Sequence, residues 1–186
     1  MPIDTAAEVI GNRPLSNDYN VLSLAAPEIA AIASPGQFVM LKASRRHDPL
    51  LRRPFSVFEV LRDRRGEPSG ITILNKRIGV STGLLYEAQS GQHVDCLGPL
   101  GHPFLAVDSP AEAWMVAGGV GLAPFALLAQ LLRERDVMSV LFYGARNAGE
   151  LFYLDFFQGL GVELVLTTED GSRGERGRVV VPLERR

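Results

Sequence analysis

Cysteine is nearly missing from this chain: Cys96 is the only one in 186 residues. A lone thiol excludes an internal disulfide, and it excludes an iron-sulfur or zinc site built from cysteines of this chain alone, because those need several thiolates. Charge of one sign is missing too. Lys and Arg number 19 against 21 Asp and Glu, for a formal charge of -2, so no global field draws the chain to nucleic acid or to an anionic membrane. No nucleic-acid partner is expected. The three histidines, His47, His93 and His102, lie too far apart for metal-ligand spacing, and no metal site is expected either. Long apolar runs are scarce. Ala113 to Leu132 carries no charge and is long enough to raise the question of a membrane span, but Gly118, Gly119, Gly121 and Pro124 interrupt it, so a strand, a glycine turn and a helix explain it better and no membrane association is expected. Met1-Pro2-Ile3-Asp4 has no charged segment leading into an apolar core, and the expected location is the cytoplasm.

What is present is the composition of a globular protein, 46% hydrophobic and 22% charged, with enough length for one large domain or two small ones. Up to about Gly101 the pattern is short strands separated by turn chemistry. Glu8 to Asn12, Tyr19 to Leu24, Gly36 to Leu41, Pro54 to Leu61, Gly70 to Lys76 and Gln92 to Cys96 make that series. One short helix is expected at Thr82 to Ala88, with Ser81 as its N-cap. Such strands imply a small antiparallel barrel. Beyond Gly98-Pro99-Leu100-Gly101 the rhythm changes to strand, helix, strand, helix, strand: Ala113 to Ala117, Leu122 to Arg133, Val137 to Tyr143, Gly149 to Gln158 and Val162 to Leu166. That alternation argues for a parallel sheet. Two domains are expected, 1–104 and 105–186, with the boundary near residues 102 to 112.

Four segments carry candidate chemistry. Leu50-Leu51-Arg52-Arg53-Pro54-Phe55-Ser56-Val57-Phe58 joins two guanidinium forks, which pair with phosphate oxygens, to a ring-stiffened turn, an aromatic face and a hydroxyl. It suits a ligand with phosphates at one end and a flat heterocycle at the other, such as a flavin nucleotide. An exposed Arg pair entering an ordinary strand accounts for it equally well. Gly118-Gly119-Val120-Gly121-Leu122-Ala123-Pro124 follows a strand and opens a helix, where bare amides and the helix dipole hold a phosphate. Pro124 stands where the dinucleotide fingerprint has its last glycine, and Gly144-Ala145-Arg146 closes the second strand in place of an acidic residue; a glycine turn needed only for packing is the competing account. Gly79-Val80-Ser81-Thr82-Gly83 is a second small-residue loop before a helix, equally readable as a capped turn. Thr167 to Ser172 ends a strand at the edge where open α/β sheets bind ligands, and Asp170-Gly171-Ser172 is also a plain turn.

In order and spacing these motifs resemble the ferredoxin reductase-type flavoproteins, and within them the electron-transfer subunits of two-component, NAD-dependent dihydroorotate dehydrogenases. The resemblance rests on Asp48 to Ser56, Gly98 to Gly101, Gly118 to Pro124, Tyr143 to Arg146 and Glu169 to Ser172, and it spans nearly the whole chain. It implies an FAD-binding Greek-key barrel followed by a nicotinamide-nucleotide domain, NAD(H) or NADP(H), and a catalytic dehydrogenase partner in a hetero-oligomer serving pyrimidine biosynthesis. By position, Arg53, Pro54, Phe55 and Ser56 would contact the flavin and its phosphates, as would Leu74, Asn75, Lys76, Ser81 and Thr82, with Ser56 at the flavin's reactive edge in the catalytic role. Gly118, Gly119, Gly121, Pro124, Gly144, Arg146 and Asp170 would line the nicotinamide nucleotide. The chain departs from the pattern at Ser81, where glycine is usual, and at Asn75 and Lys76, where an aromatic and an Arg are common.

A larger departure comes late. After a strand like Arg178 to Val181 the family usually continues into a Cys-Gly-Pro segment and a four-cysteine motif for a two-iron two-sulfur cluster, and neither occurs in this sequence. A fragment and a natural short form are both compatible with that. The alternatives to an electron-transfer subunit are a stand-alone NAD(P)H-dependent reductase of flavin or ferredoxin, and a redox-inactive binding subunit.

Overall fold

The computed structural model describes residues 1–44, 49–105 and 107–186, so His47 and Asp48, both named above, lie outside the described residues. The chain divides into two compact units, Met1–Phe104 and Leu105–Arg186.

The first unit holds seven strands, β1 (Ile3–Pro14), β2 (Tyr19–Ala25), β3 (Phe38–Lys42), β4 (Arg53–Ser56), β5 (Glu59–Arg62), β6 (Pro68–Lys76) and β7 (His93–Leu100), with two helices, α1 (Pro27–Ile32) and α2 (Val80–Glu87). They form one antiparallel sheet in the order β4-β3-β7-β1-β2-β6-β5. β1 serves two partners: Ile3 to Glu8 pair with β7, and from Glu8 to Pro14 the strand runs along β2, with an irregularity between Val9 and Gly11. The sheet curls as a half-barrel, and the link between its two end strands is tied to both sides. Val57 donates its N–H to the Gln37 carbonyl (3.0 Å) and Phe58 donates to that of Thr72 (2.9 Å). This is why the run expected as one strand from Pro54 to Leu61 is two strands. Val57 and Phe58 are buried between them.

Leu22, Leu24, Leu41, Phe58, Ile71 and Ile73 fill the inside of the curl, and Ile29 of α1 and Leu85 of α2 close over it, each at most 1% exposed. Burial of one such side chain is worth about 1.5–3 kcal/mol. α1 has no counterpart in the sequence reading. Pro27 starts it and Glu28 sits in its first turn, both favourable there, but a helix this short is held by what Ile29 and Ala30 bury rather than by propensity.

In the second unit β8 (Glu112–Gly118), β9 (Met138–Ala145), β10 (Glu163–Thr168) and β11 (Glu175–Arg176) make a parallel sheet in the order β11-β10-β9-β8, with helices α3 (Phe125–Glu134), α4 (Leu154–Gly159) and α5 (Val180–Leu183). Both longer helices start later than expected. Gly119–Leu122 forms a 3-10 turn before α3, and Tyr153, at φ 61, breaks the chain between a short 3-10 turn at Ala148–Glu150 and α4. The expected strand at Arg178 to Val181 is corrected: the short strand is Glu175–Arg176, and Val180–Leu183 is helical. Pro182 explains the change, since it has no N–H for a ladder yet is tolerated in a first helical turn.

Candidate functional site

Unit one presents the amino end of α2 to solvent. Gly79 is its N-cap residue and has no side chain to offer, so no side-chain bond caps the first turn. Thr82 acts in the opposite direction. Its hydroxyl accepts from the N–H groups of Ile78 and Gly79, both at 2.9 Å, and donates to the Gly79 carbonyl at 3.0 Å, which fixes the loop. The N–H groups of Val80, Ser81 and Thr82, as the first of the helix, have no intrahelical acceptor, and the N-cap residue has no side chain to serve them. A Cβ built on Gly79 or Gly83 would meet nothing within 4 Å. Open backbone donors at the positive end of a helix dipole are a seat for phosphate oxygens. Ser81, expected as the N-cap, lies two residues inside the helix and is buried.

The strand expected to grip the flavin divides its two arginines. Arg52 is held by Asp4, whose carboxylate oxygens it meets at 2.8 and 3.0 Å, whereas Arg53 is exposed and, among the described residues, makes only a 3.4 Å contact to the Arg52 carbonyl. Pro54 is exposed, and Phe55 and Ser56 are half-buried. On β6 the picture is different. Leu74 and Asn75 are buried, and the Lys76 ammonium lies over the Tyr19 ring at 4.9 Å. Asn75 donates to the Asn20 side chain (2.7 Å) and to the Thr82 carbonyl (3.0 Å), so its amide faces α2. Of the flavin contacts expected from the sequence, the described residues offer an exposed guanidinium at Arg53, a half-buried hydroxyl at Ser56 beside Phe55, and the first amides of α2. That set fits a dinucleotide with a diphosphate and a flat polar ring.

In unit two the parallel register brings the expected nucleotide residues to one edge. Gly118 of β8 is level with Gly144 of β9, which is level with Thr167 of β10. The turn Gly119–Leu122 leaves that edge with Gly119 at φ 51, Gly118 and Gly121 have open space where a Cβ would stand, and Pro124 directly precedes α3. Gly144 is confined: an added Cβ would come within 2.9 Å of Thr167 Oγ1 and 3.0 Å of Val179. Arg146 is committed to Glu150, through Nε to Oε2 at 3.1 Å and Nη2 to Oε1, and that carboxylate is buried. Asp170 closes its own turn. Its Oδ1 accepts from the N–H (2.9 Å) and the hydroxyl (2.6 Å) of Ser172, and Ser172 Oγ in turn accepts from Ala148 N–H at 2.7 Å. The Ser172 hydroxyl and N–H hold the Asp170 carboxyl below its usual range.

Cys96 is buried in β7, and burial pushes its thiol up to about 12, with the Arg52 guanidinium working against that shift and Asp4 with it. It has the inert character of a packed thiol. Glu59 is raised by burial, partly offset by Arg13. Among the described residues no cluster of His, Cys, Asp and Glu has the makings of a metal site, and no helix is long and apolar enough to cross a membrane. Two residues absent from the sequence reading join the site indirectly. Asn12 and Asn20 link β1 and β2 to α2, and their only sequence signal is a polar residue in a strand that otherwise alternates apolar.

No protein-family model matches the chain. It is 36% identical over 178 residues to the electron transfer subunit of dihydroorotate dehydrogenase B (NAD(+)) from Geobacillus thermodenitrificans, covering 95% of this chain and 67% of that protein. The subunit of the same name from Geobacillus kaustophilus is 38% identical over 180 residues, 96% of this chain and 68% of its own length. The chain thus spans about two thirds of the length of these curated relatives. Among solved structures, that of an NADH-dependent reduced ferredoxin-NADP oxidoreductase aligns with a TM-score of 0.82 at 26% identity, over 97% of this chain and 63% of that one. A ferredoxin NADP+ reductase from Neisseria gonorrhoeae with bound FAD and NADP, 19% identical, shares the fold at a TM-score of 0.80, over 98% of this chain and 76% of that one.

Proposed function

The chain belongs to the family of dihydroorotate dehydrogenase B electron-transfer subunits, FAD- and nicotinamide-dependent oxidoreductases of ferredoxin reductase type, and from that premise we propose that it carries electrons between NAD(H) and a catalytic dehydrogenase partner through bound FAD. When bound, the flavin supplies a ring that exchanges a hydride with nicotinamide and passes electrons on. The protein binds, orients and shields. The amides of Val80, Ser81 and Thr82 and the Arg53 guanidinium receive the diphosphate, Phe55 lies against the ring, and Ser56 offers its hydroxyl to the ring's polar edge. The turn from Gly118 to Pro124 seats the nicotinamide nucleotide with Gly144, at the carboxyl edge of the parallel sheet. Arg146 and Asp170 act as framework for that edge, because Nε and Nη2 of Arg146 are engaged by Glu150 and Oδ1 of Asp170 by Ser172. With Arg146 held in this way, the nucleotide is assigned as NAD, in keeping with the NAD(+) in the names of the relatives.

The observation that carries the reading is the first turn of α2, whose N-cap residue offers its amides no side-chain acceptor. The test is an absorption spectrum of the purified protein after incubation with FAD, followed by anaerobic addition of NADH. Flavin bands that bleach support the proposal, while a colourless protein after gel filtration overturns it. Co-purification with a dehydrogenase subunit separates the subunit role from that of a free-standing reductase.

A further inference from the structure

Three asparagines from three strands converge under α2. Asn20 and Asn75 are directly opposite each other in the β2–β6 pairing, and Asn12 stands beside Asn20 on β1, where Asn20 faces Pro14. Their amides run head to tail. Asn75 Nδ2 donates to Asn20 Oδ1 at 2.7 Å, and Asn20 Nδ2 donates to Asn12 Oδ1 at 2.7 Å. Each amide also reaches the helix. Asn75 donates to the Thr82 carbonyl (3.0 Å), Asn20 to that of Leu85 (3.3 Å), and Asn12 to those of Tyr86 and Ala88 (both 2.8 Å). Asn20 and Asn75 are fully buried. Carbonyls at the end of a helix have no intrahelical donor, so Asn20 and Asn12 cap the carboxyl end of α2 while Asn75 holds the Thr82 carbonyl in its first turn, and a head-to-tail chain of hydrogen bonds in a buried site strengthens each member.

Burying amides between strands is costly wherever a group stays unpaired, and Asn75 Oδ1 is buried without a partner among the described residues, whereas an apolar trio would pack the sheet with no such cost. What an apolar trio would not supply is direction. The relay fixes both where α2 lies on the sheet and how it is rotated, and the second of these aims the amides of Val80, Ser81 and Thr82. Resting on the flavin-site reading above, the geometry points to Asn12, Asn20 and Asn75 as positioning residues for the diphosphate of FAD. They act through α2 and touch no ligand. Two consequences separate this from general stabilisation. Loss of the relay should weaken FAD, which has the diphosphate, and spare riboflavin, which has none. It should also loosen α2 before ligand is added.

The experiment uses the full chain stripped of flavin, as the parent and as the variants Asn12→Ala and Asn20→Ser. Asn12 is half-buried, so Asn12→Ala keeps the test in force if the variant at fully buried Asn20 does not accumulate. Fluorescence titrations give the FAD and riboflavin affinities, and hydrogen exchange reports the α2 amides. The expected result is FAD affinity lower by at least about fivefold with riboflavin affinity within about twofold of the parent, and exchange in α2 faster by about tenfold with the strands unchanged. An equal loss of FAD and riboflavin affinity overturns the proposal in favour of general support, and an unchanged preference for FAD overturns it outright. A parent that binds the two flavins equally well overturns the α2 phosphate site itself, and the positioning role falls with it.

Discussion

Val80→Pro isolates a single hydrogen-bond donor. Val80 is the first residue of α2, the position where proline is most at home because the N–H it removes has no helical partner and its ring presets the helical φ. Gly79 before it is already extended, at φ -169 and ψ -176, outside the α region that a following proline disfavours. The Val80 side chain is 67% exposed, so little packing is lost. Folding stability should hold or rise by up to about 1 kcal/mol, since proline restricts the unfolded chain. FAD binding should suffer. A hydrogen bond to a charged group is worth about 1.5–3 kcal/mol, and exposure of this helix end favours the lower part of that range, which corresponds to about a tenfold loss of affinity. Val80→Ala is the control, because it removes the same side chain and keeps the N–H. Isothermal titration with FAD and thermal unfolding of the flavin-free protein are the assays. If Val80→Pro binds FAD as tightly as Val80→Ala, the α2 amides do not hold the diphosphate and the assignment of the site is wrong.

Other perturbations reach other parts of the molecule. Ser56→Ala should retain FAD but slow anaerobic reduction by NADH at least about tenfold, in line with the loss of one oriented hydrogen bond to a charged or strongly polar edge; stopped-flow absorbance decides it. Gly174→Ala should destabilise the second unit by more than about 2 kcal/mol in urea unfolding, because Gly174 has φ 70 and an added Cβ would lie 2.1 Å from the Leu166 carbonyl oxygen. Cys96 should resist iodoacetamide at pH 8 in the folded protein and react on denaturation, as its thiol is raised from 9.0 to about 12. The same shift has a sign in stability: below about pH 9 the thiol is protonated folded and unfolded and contributes no slope, and from there towards pH 12 the unfolded chain ionises first, so stability falls by up to about 1.4 kcal/mol per pH unit. Cys96→Ala should flatten that alkaline limb, as read by unfolding midpoints across the range.

The parts of this fold legible in the sequence are those set by local pattern. Strand runs such as Tyr19 to Leu24 and Val137 to Tyr143 alternate or bury continuously, and Gly118 to Gly121 marks the turn after β8, where the parallel register places it. What was not legible depended on tertiary burial. α1 exists because Ile29 closes over the sheet, and its local signals are only Pro27 and Glu28, with no capping side chain before them. The valine run before Pro182 reads as a strand by propensity, yet in that part of the chain Glu175 and Arg176 are the residues that pair with β10. The candidate site divides in the same way. A motif names the segment, but whether Arg52 or Arg53 is available depends on Asp4, which lies 48 residues away in sequence. No spacing rule contains that information.

A common logic emerges from where the polar side chains of the two glycine-rich edges point. Thr82 ties down the backbone of Ile78 and Gly79. In the second unit Thr168 Oγ1 donates to the Arg173 carbonyl at 2.9 Å and accepts from Arg173 N–H at 3.0 Å, while Asp170 and Ser172 brace the turn between them. In each case the hydroxyl or carboxylate that a motif search would nominate as a ligand contact is engaged within its own loop. Gly79 and Gly83 beside the first of these loops, and Gly118 and Gly121 at the end of β8, have open space where a Cβ would stand, whereas Gly171 has the Arg176 side chain at 3.3 Å. Peptide donors carry no side-chain entropy into a complex and cannot titrate, so a loop braced from inside holds an anion with little further ordering. Substitution at Thr82, Thr168 or Asp170 should therefore change the shape of a loop before it changes the chemistry of a contact.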